Sequence, residues 1–137
     1  MKKLFLDSNI WLHFFLKDNP EQYQSIEKLL IESDAGGFQI YTSSVILLEI
    51  NFVLKGFYKL TLENTLVYLQ KIKDFRNITI IDKTNSHLAL EYYKTHKIKF
   101  SDCLIASQIR KDIILVTHDQ DFKKIPELTV KTPDQLV

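Results

Sequence analysis

Residues 98–122 read IKFSDCLIASQIRKDIILVTHDQDF, and the fold follows from how this stretch divides. Ser101 is expected to cap a helix, because its hydroxyl can accept from backbone N–H groups two or three residues on. Ile105, Ala106 and Ile109 then follow Asp102 at helical spacing, so the spacing places Asp102 in the first turn and on the inward side. The helix dipole favours an acid there. It does not explain an inward direction, since a buried carboxylate without a partner costs several kcal/mol or gives up its charge. Ile113-Ile114-Leu115-Val116 reads as an apolar strand, and Thr117-His118-Asp119 leaves its C-terminal end. Helix start and strand end thus bring two acids close together. A cation missing from the sequence would satisfy both.

Composition narrows the rest. At 137 residues, 45% of them apolar, the chain reads as one domain with room for a sizeable core. The lone cysteine, Cys103, excludes an intramolecular disulfide and a Cys-cluster zinc site, which fits a cytoplasmic setting. Asp7 interrupts the apolar start MKKLFLDSN, so it does not read as a signal peptide. No apolar run approaches the ~20 residues that span a bilayer. The net charge of +1 neither requires nor excludes a nucleic-acid partner. With only three glycines, phosphate-loop and dinucleotide-binding readings fail.

Working outward, residues 3–7 read as a short strand ending in Asp7, followed by Ser8 and Asn9 as turn and cap residues. Asn19-Pro20 opens a helix that Gly36-Gly37 stops. Residues 38–41 form a second strand, and Thr42-Ser43-Ser44 can cap the helix after it. That helix, from 44 to about 54, is apolar on nearly all sides and is expected to be buried on most of them, with Glu49 in its middle. Gly56 is expected to break it. Further helices are expected from Thr61 to about Asp74 and from Thr84 to about Lys97, with a third strand over 78–81. Strands are also expected over 113–116 and 128–130. Alternating strands and helices argue for a parallel sheet of four or five strands covered on both faces. In such sheets the site lies outside the C-terminal strand ends.

Four acids are therefore notable: Asp7, Glu49, Asp102 and Asp119. Gathered at one edge they repel unless a divalent cation holds them. An all-oxygen donor set favours Mg²⁺ or Mn²⁺, which can activate water against a phosphodiester. The strand-end LFLDSN, the Glu49 helix, SDCLIA and LVTHDQDF, in that order, resemble the PIN domain, a metal-dependent ribonuclease family. The size and the ending LTVKTPDQLV resemble the VapC-type toxins of toxin–antitoxin pairs. That resemblance implies a three-layer α/β/α fold and an endoribonuclease whose partners are RNA, a cognate antitoxin and a second copy of the chain. It implies Asp7, Glu49, Asp102 and Asp119 as catalytic acids, with metal on Asp7, Asp102 and Asp119. It also implies support from the hydroxyls of Ser8 and Thr117.

Other readings stay open at this point. Asp7, Asp102 and Asp119 could each be a turn or cap residue. Asp121 competes with Asp119 for the last place, although Asp119 lies nearer the strand and Asp121 is expected to cap the turn into Phe122. Lys94, Lys97 and Lys99 can complement a helix C-terminus or form a basic rim that guides RNA to the acids. The four histidines lack metal-ligand spacing and read as surface or packing residues. A catalytically inactive PIN-like RNA-binding or assembly module is the rival from another class.

Overall fold

The computed structural model describes residues 1–137. Five strands, β1 (Lys2–Leu6), β2 (Phe38–Ser43), β3 (Ile78–Ile81), β4 (Ile113–Val116) and β5 (Thr129–Lys131), form one sheet. All neighbours pair in parallel, in the order β3-β2-β1-β4-β5. The chain winds outward from β1 through β2 to β3, then crosses back to lay β4 on the other side of β1. The strand order therefore reverses between β1 and β4, the switch point outside whose C-terminal strand ends sheets of this kind form their site crevice. Six helices complete a three-layer α/β/α fold: α1 (Ser8–Leu16), α2 (Pro20–Asp34), α3 (Ser44–Phe52), α4 (Leu62–Lys73), α5 (Ser86–His96) and α6 (Phe100–Ser107).

Most boundaries follow from local chemistry. The side chains of Asn19, Ser43, Thr61 and Asn85 each accept from a backbone N–H at the start of their helix. Pro20 takes the first position of α2, where its missing N–H costs nothing. Gly36 turns the chain out of α2 at φ +94°, a conformation that glycine adopts without a Cβ clash. β1 and β4 carry the core, with Leu4, Phe5, Leu6, Leu115 and Val116 fully buried. A second, smaller core under α5 and α6 holds Ala89, Ile98, Cys103, Ala106 and Ile125. Cys103 is thus a free, buried thiol packed as a small core residue.

Several local expectations are corrected. Residues 8–16, of which Ser8 and Asn9 were read as turn and cap residues, form the helix α1. Ser101 does not cap α6, which starts two residues earlier than a Ser101 cap would set it, with Lys99 at its boundary and no side-chain cap. Gly56 does not break α3. The helix widens instead into a π-turn over Val53–Phe57, and a Cβ at Gly56 would meet open space. Nor is α3 buried on most sides: Ile46 and Ile50 face the core, but Leu48 and Phe52 are 59% and 72% exposed. One face of the helix packs inward and its opposite face is left uncovered.

Candidate active site

β1 delivers Asp7 to the crevice. The strand itself ends at Leu6, and Asp7 becomes the N-cap of α1, accepting from the Ser8 N–H at 2.8 Å. The parallel register sets Leu6 beside Val116, and the Asp7 N–H donates to the Val116 carbonyl at 3.0 Å. Asp7 therefore stands level with Thr117 at the end of β4, and the Thr117 hydroxyl donates to Asp7 Oδ2 at 2.7 Å. Asp7 is 3% exposed and Asp102 5%. Burial pushes the Asp7 carboxyl up, against the hydrogen bonds of Thr117 and Ser8, and the charge of Asp119 pushes the same way as burial.

Asp102 enters from the first turn of α6 and is inward, as its helical register implied. Burial, and then the charges of Asp7, Asp119 and Glu49, push its carboxyl up to about 7, with Lys99 opposing. Glu49, in the middle of α3, is raised by burial and then by Asp7. The nearby hydroxyls of Ser8 and Ser101 and the Lys99 ammonium pull it back. Ser101 thus belongs beside Glu49 and not at a helix cap, a placement that requires α3 and α6 to pack together. Asp119 accepts the Asp121 N–H at 2.9 Å and caps the 3₁₀ turn Gln120–Lys124, so the capping role expected of Asp121 falls to Asp119. Asp121 instead lies 3.4 Å from Lys124.

Asp102 thus feels the charges of all three other acids, while Asp7 feels Asp119 and Glu49 feels Asp7. Asp102 Oδ2 and Glu49 Oε1 are buried without a protein partner, which is costly unless something else supplies one. As positioned, no three of these carboxylates stand near enough to ligate one ion by themselves. A closed, dehydrated cage is thus not formed. Spread carboxylates with unpartnered oxygens fit an ion such as Mg²⁺, which takes one or two carboxylates directly and keeps several waters. Lys99 lies close enough to act on Asp102 and Glu49. Lys94 and Lys97 are exposed on α5 and at its left-handed end, and no interaction ties them to the acids. His13 and His118 pack edge-to-face at 5.6 Å, and burial holds His118 below the usual histidine range.

One residue of the site was read only as a turn and cap residue. The Asn9 amide Nδ2 lies 3.1 Å from both Asp7 Oδ2 and Thr117 Oγ1, while its Oδ1 accepts from the His118 N–H at 3.2 Å. The only signal in the sequence was an asparagine two places after a strand-end acid, a pattern that most turns share.

The sequence matches the family model of the PIN domain over residues 4–128. No protein of curated function matches it. Among solved structures, the chain is similar to one in the crystal structure of VapBC2 from Rickettsia felis bound to a DNA fragment from their promoter. Identity there is 27% with a TM-score of 0.68, covering 95% of this chain and 98% of that one. A chain of FitAB bound to the IR36 DNA fragment shares the fold, with a TM-score of 0.62 at 19% identity over 95% and 94% of the two chains. With a match across most of its length and the five-stranded parallel sheet in place, the chain belongs to the PIN domain family.

Proposed function

We propose that this protein is a divalent-metal-dependent endoribonuclease, using Mg²⁺ or Mn²⁺, and the toxin of a toxin–antitoxin pair acting in the cytoplasm. The observation that carries the reading is the convergence of Asp7, Glu49, Asp102 and Asp119 on one crevice, two of them with buried, unpartnered oxygens. A divalent ion there would supply a water acidified for attack and a positive charge on the scissile phosphate. Asp7, Asp102 and Asp119 would hold it, at least in part through its waters, since no three of these carboxylates reach one ion by themselves. Glu49 would orient the attacking water, and burial raises its carboxyl above the usual range, the direction that makes it a better proton acceptor. Ser8 and Thr117 keep Asp7 aimed through the hydrogen bonds described above. Lys99 stands beside the acids to meet the phosphate backbone, and the exposed Lys94 and Lys97 would extend that contact.

The decisive experiment incubates purified protein with total cellular RNA. Fragments should appear with Mg²⁺ and disappear with EDTA. Intact RNA in the presence of folded, metal-loaded protein would sink the enzyme reading in favour of an inactive RNA-binding module.

Two surfaces suit the partners of such a toxin. A groove of about 1060 Å³, lined by Trp11, Phe15, Tyr23, Tyr68 and Phe75, suits an amphipathic antitoxin segment. The uncovered face of α3 suits a second copy of the chain. Phe52→Glu should then convert a dimer to a monomer by light scattering without lowering the melting temperature. An unchanged mass would remove α3 from the interface.

A further inference from the structure

We infer that Asn9 is a positioning residue of the acid site: it fills one oxygen of Asp7 so that the other alone is presented to a cation. The inference rests on the nuclease reading above and deepens it.

The assignment follows from counting donors and acceptors. The backbone N–H of His118 can only donate, so the Asn9 atom facing it at 3.2 Å is the carbonyl oxygen. That fixes the amide orientation and leaves both Nδ2 hydrogens free to donate. Two acceptors lie at 3.1 Å, Asp7 Oδ2 and Thr117 Oγ1. The Thr117 hydroxyl spends its one hydrogen on Asp7 Oδ2 at 2.7 Å. Its oxygen accepts from the Asp119 N–H at 3.0 Å and from Asn9. Thr117 is then saturated, with one hydrogen given and two lone pairs used.

Asp7 Oδ2 receives two donors, Thr117 and Asn9, which occupy both its lone pairs. Oδ1 receives only the Ser8 N–H at 2.8 Å and keeps one lone pair free. The carboxylate cannot swing to offer both oxygens without breaking three hydrogen bonds. Asn9 also binds groups at the start of α1 and just past β4, more than a hundred residues apart in sequence. Asn9 therefore adds a third hold on the rotation of Asp7, beside Ser8 and Thr117, and ties the end of β1 to the segment that delivers Asp119. Ser8 and Thr117 alone would leave one lone pair of Oδ2 open and the His118 N–H without its acceptor.

The test measures Mn²⁺ binding by calorimetry without RNA, and then RNA cleavage kinetics, for wild type, Asn9→Ala and Ser33→Ala. Ser33 is buried in α2 and donates to the Phe38 carbonyl at 3.2 Å, so its variant loses stability without touching the acids. Asn9→Ala should bind Mn²⁺ about tenfold more weakly and lose about 10- to 100-fold in kcat, with KM for RNA within about twofold of wild type. Ser33→Ala should keep wild-type metal affinity and kcat. If Asn9→Ala aggregates, Asn9→Ser gives the same reading, since serine keeps a polar helix start but cannot reach all three partners. Asn9 variants that lose only melting temperature, as Ser33→Ala does, would overturn the inference and leave the nuclease reading standing. A wild type that neither binds Mn²⁺ nor cuts RNA would bring down both.

Discussion

Asp102→Asn should cut RNA at least about 10²–10³-fold more slowly than wild type, the loss expected when a charged group preorganised for the transition state is removed. The same substitution should make the metal-free protein more stable at pH 8. Asp102 is 5% exposed, and burial among three other acids holds its carboxyl near 7 against an ordinary 3.8. With a raised folded pKa, the native state holds this proton more tightly than the unfolded chain does. The stability so gained is fully present below about pH 4 and is lost as pH rises through about 7. At pH 8 the ionised Asp102 then destabilises the metal-free protein by about 2–4 kcal/mol. Asparagine carries no charge and escapes this cost. In EDTA, melting curves at pH 5 and pH 8 should therefore diverge more for wild type than for the variant, which keeps only the smaller pH dependence of Asp7 and Glu49. Saturating Mg²⁺ should restore wild type at pH 8, because a ligand bound only to the folded state stabilises it. Parallel melting curves for the two proteins would show that Asp102 is not a strained, buried charge. Undiminished cleavage by the variant would remove Asp102 from the catalytic set.

Phe5→Ala should be the most damaging single change outside the site, lowering stability by about 3–5 kcal/mol. Phe5 lies in the central strand with no exposed surface, paired in register with Tyr41 on β2 and Leu115 on β4. Neither neighbour can close the cavity without pulling its own strand out of the ladder. Against a typical total of about 5–15 kcal/mol, the urea midpoint should fall by about 2 M. A fall under about 0.5 M would mean that β1 does not run through the middle of the core.

The two experiments probe different layers of the same design. β1 is held rigidly by apolar burial, and its next residue, Asp7, is held by hydrogen bonds that leave one oxygen free. The cost of gathering four acids is carried by the packing around them. Native sites commonly sacrifice stability in this way for function.

The sequence alone determined whatever depends on a short window. The strands over 78–81 and 113–116, the caps at Asn19, Ser43 and Thr61, and the inward register of Asp102 are all local in origin. Side-chain period, cap chemistry and proline geometry act within a turn or two. Alternating strands and helices also implied a parallel sheet with acids at its C-terminal edge. Tertiary structure alone decided the strand order and the partners of each polar atom. Asn9 meets Thr117 from 108 positions away, and Ser101 serves Glu49 across two packed helices. Capping signals near residues 101 and 121 were outvoted: α6 began at Phe100 and left Ser101 beside Glu49, and Asp119 took the cap that Asp121 was expected to take. The exposed side of α3 was equally invisible, since an apolar helix reads the same whether the domain or another chain covers it. A local pattern can say that a residue wants a partner. Only the assembled sheet says which one it gets.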